Sequence, residues 1–100
     1  MENADVLARE LDALGHPLRL KIIAMLKLHG EMHMALLASR LGVSRALVKI
    51  HMKKLEQSGL VRSRVMLIPG QAKALRMYEL LDFKITVDPG IILKEVNLNE

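Results

Sequence analysis

Apolar residues in the first half of the chain recur at spacings of three and four, the repeat of a helix with one side turned to a core. Leu7, Leu11 and Leu14 predict a first helix that Asn3 can cap and that Gly15 ends. Pro17 stands at a favoured first helical position, and Leu20, Ile23 and Leu26 form the expected core stripe of a second helix that runs to His29 and stops at Gly30. A shorter helix over about residues 34–41 turns Leu37 and Leu41 inward, and Gly42 supplies the backbone freedom for a tight turn. Ser44 then caps a helix from Arg45 to Ser58. It places Val48, Met52 and Leu55 on one face and Ala46, Lys49, Ile50 and Lys53 on the other, and Gly59 closes it.

Beyond Gly59 the pattern changes. Leu60 to Ile68 is rich in β-formers, Pro69-Gly70 is turn chemistry, and Ala72 to Leu80 is a second such run, so together they predict a hairpin. A two-residue loop at Pro69-Gly70 would set Met66 against Lys73, Arg64 against Leu75 and Arg62 against Met77. Arg62, Arg64 and Lys73 would then share one surface, with Val61 and Tyr78 on the other. A Pro-Gly type II turn is not the favoured two-residue connection, which leaves a longer loop and a shifted register open. Phe83, Ile85 and Val87 alternate with polar residues and predict a further strand. Asp88-Pro89 then starts a short helix or, with Gly90, turns into another strand. Ile91, Ile92, Leu93, Val96 and Leu98 are too apolar for a free tail and are expected to pack on something.

A length of 100 residues predicts one domain, and 51% hydrophobic with 26% charged residues is a globular balance. So small a chain closes one core and is expected to lean on a partner copy. The absence of Cys excludes thiolate metal sites, disulfides, iron–sulfur clusters and cysteine nucleophiles, and points to the cytoplasm. No uncharged apolar run approaches the ~18 residues of a membrane span, and the start Met1-Glu2-Asn3-Ala4-Asp5 lacks the basic residues of a signal peptide. Phe83 and Tyr78 are the sole aromatic residues, too few for a platform that stacks single-stranded bases.

Net charge is +4, and its distribution matters more than its sum. Between Arg40 and Arg76 nine cations (Arg40, Arg45, Lys49, Lys53, Lys54, Arg62, Arg64, Lys73 and Arg76) stand against Glu56 alone, while the rest of the chain is net acidic. A segregated positive field attracts polyanions, although a solvated lysine-rich helix face gives the same tally. Geometry favours the polyanion. Two short helices joined by a turn containing Gly, here Leu37 to Leu55, form a helix-turn-helix unit whose second helix enters the major groove of duplex DNA.

Arg45, Ala46, Lys49 and Ile50 lie in the first two turns of that second helix, opposite its core stripe, where base-edge contacts arise. Arg45 can pair with guanine O6 and N7, and Ala46 or Ile50 can meet a thymine methyl group. Ser44, Lys53, Lys54, Arg62, Arg64 and Lys73 are the candidates for phosphate contacts, which position a protein without reading sequence. The histidines do not suggest a metal: His29 and His33 are four apart, but Gly30 breaks the helix between them. His29 suits a helix C-terminus, His16 a cap region, and His51, at the margin of the core stripe, a hydrogen-bonded structural role. With no phosphate-binding Gly-rich loop, no His-Glu-x-x-His and no nucleophile beside a base, neither an enzyme nor a cofactor is expected.

The segments Ala13-Leu14-Gly15-His16-Pro17-Leu18-Arg19-Leu20-Lys21-Ile22-Ile23, Leu37-Ala38-Ser39-Arg40-Leu41-Gly42-Val43-Ser44, Val48-Lys49-Ile50-His51-Met52-Lys53-Lys54-Leu55 and Ser58-Gly59-Leu60-Val61 resemble the ArsR-type winged helix-turn-helix transcriptional regulators. The likeness covers about residues 13–80. It implies an α+β, mainly α fold: a winged helix-turn-helix with a β-hairpin wing and a helical or extended C-terminal dimerisation segment. Residues 1–100 would be one domain, with the helix-turn-helix at 34–58, the wing at 60–80 and dimerisation through 3–14 and 83–98. A homodimer interface would use Leu7, Leu11, Ile91, Ile92, Leu93 and Val96. Where thiol-based sensors of the family carry two cysteines at the start of the third helix, this chain has His33 and Ala35, and its tail from Phe83 to Glu100 contains no His. Metal sensing is therefore not expected, and the small-molecule effector stays open.

The expected function is sequence-specific binding of double-stranded DNA by a homodimer on a palindrome, with repression as the output. Two alternatives remain beside it: a weakly specific DNA-coating, chromatin-like protein, and a winged-helix module for protein–protein interaction.

Overall fold

The computed structural model describes residues 3–100; Met1 and Glu2, at the acidic start of the chain, lie outside the described residues. The helices begin where a side chain can take up a free backbone N–H. His16 Nδ1 accepts from Leu18 N–H at 3.0 Å, His33 Nδ1 from Leu36 N–H at 3.4 Å, Ser44 Oγ from Leu47 N–H at 3.1 Å and Asp88 Oδ1 from Ile91 N–H at 2.9 Å. These caps open α2 (Pro17–His29), α3 (Met34–Leu41), α4 (Arg45–Gln57) and α5 (Pro89–Glu95). Ahead of them runs α1 (Asn3–Leu14), in which Asn3 is already helical and does not serve as the cap.

Three strands complete the fold: β1 (Met32–His33), β2 (Val61–Leu67) and β3 (Ala74–Leu80), antiparallel and ordered β1-β3-β2. The β2–β3 hairpin leaves the helical body as a wing, and β1 pairs Met32 with Tyr78 at its base. The core is where these layers meet. Ile22 and Leu26 of α2, Leu37 of α3, Val48, Met52 and Leu55 of α4, Leu60 just before β2, and Val61 and Tyr78 of the sheet are buried together. At about 1.5–3 kcal/mol per buried side chain, the three α4 residues alone fix which side of that helix faces inward.

Three expectations are corrected. In α2 the buried line is Arg19, Ile22 and Leu26, and Leu20 is 52% exposed. That helix is apolar nearly all round, so periodicity could not choose its phase, and the partners of Arg19 come from elsewhere in the chain. In the hairpin, Leu67 pairs with Ala74, Arg64 with Met77 and Arg62 with Glu79, so residues 68–73 form the loop and the register moves by two from the tight-turn expectation. A shift of two keeps the faces: Arg62 and Arg64 stay together and Val61 and Tyr78 are buried opposite, but Lys73 falls in the loop, outside the ladder. Residues 81–88 are not a strand. Phe83 and Ile85 do pack on the core, which explains the alternation, yet after the Leu81 N–H bond to Leu60 O at 3.0 Å this segment has no neighbouring ladder.

Candidate nucleic-acid interface

The turn before α4 sets its direction. Gly42 adopts the left-handed region, φ 67°, and its N–H bonds Ser39 O at 3.2 Å while Val43 N–H reaches Ala38 O at 3.1 Å. A side chain at Gly42 would meet no neighbour, so glycine is needed there for its backbone angle and not for space. Ser44 then starts α4 at once. With Val48, Met52 and Leu55 clamped below, Arg45, Ala46, Lys49, Ile50 and Lys53 all point to solvent, Ile50 at 64% exposure.

This free face and the wing frame an open groove of about 580 Å³. Arg45, Lys49, Lys53 and Glu56 line it from α4, His33 from the start of α3, and Arg76 and Tyr78 from β3. Arg76 belongs to the site although only its charge was counted in the sequence. Its signal was parity: two residues from Tyr78 along a strand, it had to share the face on which Tyr78 reaches the helices. Arg76 Nη1 donates to Ser63 Oγ at 2.9 Å, across the same face of the hairpin.

The remaining cations are divided by partner. Among the described residues Arg45, Lys49, Lys53, Lys73 and Arg76 have no carboxylate partner, whereas Lys54, Arg62 and Arg64 each hold one. Lys54 Nζ meets Asp12 Oδ2 at 2.6 Å, Arg62 Nε meets Glu79 Oε2 at 2.9 Å, and Arg64 grips Glu31 with two nitrogens, Nη2 to Oε2 at 2.7 Å. The hydrogen bond from Lys54 holds the Asp12 carboxyl below its usual range, and that from Arg64 does the same for Glu31. Arg62 and Arg64 lie on the far face of the wing from Arg76, so the hairpin has a neutralised back and a bare cationic front. Ser44 is exposed; its Oγ accepts from Leu47 N–H, which leaves the hydroxyl proton free to donate outward.

The expected dimer residues lie away from this groove. Leu7 is half-buried and Leu11 exposed on α1, which α5 touches within the same chain. Ile92, Leu93 and Val96 are exposed, Leu93 at 66%, and Ile91 is half-buried. Among the described residues no three His, Cys, Asp or Glu side chains gather as metal ligands, and no helix is long and apolar enough to cross a membrane.

A helix-turn-helix whose second helix is bare and cationic beside a hairpin defines the class: a winged helix-turn-helix DNA-binding protein. Residues 16–62 match the family described as winged helix-turn-helix DNA-binding. An uncharacterized HTH-type transcriptional regulator of Methanocaldococcus jannaschii is 37% identical over 83 residues, covering 83% of this chain and 84% of that protein. Among solved structures, HlyU from Vibrio cholerae N16961 is similar with a TM-score of 0.64 and 30% identity, over 80% of this chain and 79% of that one. The chain belongs to the HTH-type transcriptional regulators, a family of DNA-binding proteins that are generally not enzymes.

Proposed function

We propose that the protein is an ArsR-like repressor that binds a palindromic operator as a homodimer in the cytoplasm, with one α4 in each of two successive major grooves. The observation that carries this reading is the gathering of Arg45, Lys49, Lys53 and Arg76, all without carboxylate partners among the described residues, around the free face of α4. Arg45, Ala46, Lys49 and Ile50 read base edges; Ser44, Lys53, Lys73 and Arg76 hold phosphates, while Lys54, Arg62 and Arg64 serve the fold through their own carboxylates. The dimer rests on Leu7, Leu11, Ile91, Ile92, Leu93 and Val96. The chain is drawn out to 62 × 25 × 22 Å, with a radius of gyration of 16.3 Å against about 13 Å for a compact domain of this length, and it leaves apolar side chains of α1 and α5 uncovered. Repression follows from a dimer occupying duplex that polymerase needs.

The test is selection of duplexes from a random pool, followed by anisotropy titration of the winner against random DNA. The reading expects an inverted repeat with half-site centres about 10 base pairs apart and affinity that falls steeply with salt. Equal affinity for random DNA would make the protein a DNA coat, and a salt-flat isotherm would refute DNA binding altogether.

A further inference from the structure

Behind α4, on the side turned from the groove, lies a polar cluster that DNA binding as proposed does not use. Arg19 is 7% exposed, inside a layer otherwise built of Ile22, Leu26, Met52 and Leu55. Its guanidinium donates from Nε to Ala13 O at 2.7 Å and from Nη2 to Asp12 O at 3.0 Å, so it closes the C-terminal end of α1. Its remaining arm, Nη1, lies 2.9 Å from Nδ1 of His51, a buried residue of α4. The His51 ring rests on that of His16, centroids 4.3 Å apart.

The protonation states are dictated by the partners. A guanidinium can only donate, so His51 Nδ1 must accept and the ring is neutral with its proton on Nε2. His16 Nδ1 accepts from Leu18 N–H, so it too carries no proton there. One cation, Arg19, is housed among two neutral imidazoles. The second link between α1 and α4 is the exposed Lys54–Asp12 pair, worth little by itself.

We propose that Arg19 and His51 are positioning residues for the recognition helix, and that a proton on His51 releases α4 from the end of α1 and so weakens DNA binding. The inference rests on the DNA-binding reading above. A proton on His51 Nδ1 would point an N–H at the Arg19 N–H and place a second positive charge in a buried site. Burial already makes the His51 ring harder to protonate than usual, with His16 and Arg19 adding to that effect. The titratable and charged groups around it are His16, the cap of α2, Arg19 of α2, Arg9 and Asp12 of α1, the latter with its carboxylate turned to Lys54, and Lys54 of α4 itself. The other elements packed on α4 bring Arg40, Arg62 and Arg64, which are turned to His29, Glu79 and Glu31, so among the described residues these elements offer no carboxylate to an imidazolium. The sign is opposite to the ordinary one: His33 lines the groove, and a proton there would add positive charge toward DNA and tighten binding.

The experiment is operator affinity by anisotropy at pH 7.5 and 5.5, at constant ionic strength, for the wild type and His51→Gln, with helicity checked by circular dichroism at both pH values. Gln retains an oxygen that can accept from Arg19 and cannot titrate. The wild type should lose affinity about fivefold or more on acidification, the lower range of couplings between sites, and His51→Gln should not lose affinity. A wild type that does not weaken, or a folded His51→Gln that weakens equally, overturns the proposal. Should the variant not fold, NMR of the wild type decides. Amide shifts of Ala13, Arg19 and the exposed residues of α4 should titrate together with the His51 ring, and independent titration overturns it. Absence of DNA binding already at pH 7.5 would strike the function itself and not this pair.

Discussion

Arg76→Ala and Arg64→Ala remove the same charge from opposite faces of one hairpin, and they should behave differently. Arg76 lines the α4 groove with no carboxylate partner among the described residues, while Arg64 is held by Glu31 on the back. Removing one phosphate-binding cation lowers the slope of log affinity against log salt by about 0.9, so a dimer deprived of both Arg76 side chains should have a slope shallower by about 1.8. Between 50 and 200 mM salt, a fourfold change, that makes the affinity loss of the variant smaller than that of the wild type by about tenfold. Arg64→Ala should leave the slope unchanged. Neither should shift thermal unfolding much, because an exposed pair contributes about 0–1 kcal/mol. Anisotropy titrations on one selected duplex at four salt concentrations measure all three slopes. Equal slope changes in the two variants would refute the division of the wing into a binding front and a neutralised back.

Four further outcomes follow from the same geometry. Arg45→Ala should relax preference at a single base pair by about 1–3 kcal/mol, seen as the loss of one guanine when the selection is repeated with the variant. Met52→Ala, at a position with no exposure, should destabilise the fold by about 2–5 kcal/mol in urea titration. Leu93→Asp should yield monomers in sedimentation if the uncovered α5 side chains make the dimer. For stability against pH, His51 resists protonation in the folded chain, so the unfolded chain takes that proton first. Its contribution is therefore complete above about pH 6.5, the ordinary value, and drains away as pH falls below it; thermal unfolding across pH 5 to 8 should show a drop on the acid side that His51→Gln reduces.

The helix-turn-helix was legible because its cues agree locally: Gly42 for the turn, Ser44 for the cap and a three-residue stripe that only one helix phase can bury. The free face of α4 followed from that stripe by subtraction. Arg19 was not legible as a core residue, since the carbonyls of Asp12 and Ala13 and the imidazole of His51 converge on it only in three dimensions. The hairpin was legible and its register was not, because the Pro69-Gly70 turn, closed by the Gln71 N–H bond to Ile68 O at 3.1 Å, sits inside a six-residue loop and does not join the strands directly. The ion pairs of Arg62 and Arg64, the sequence candidates for phosphate contacts, were hidden for a related reason. Their carboxylates, Glu79 and Glu31, are distant in sequence and become neighbours once the three strands align. The strand expected at Phe83, Ile85 and Val87 shows that alternation reports one-sided burial, which an extended segment achieves without a ladder.

Glu31 and Glu79, by cancelling the rear of the wing, also give the molecule a direction in a long-range field. With positive charge bare on one side and quenched on the other, a duplex exerts a torque on an approaching protein as well as a pull. Collisions would thus arrive already turned with α4 leading, and fewer would be wasted on a surface that cannot grip. Reversing those two glutamates would therefore slow productive capture even if non-specific attraction to DNA grew stronger.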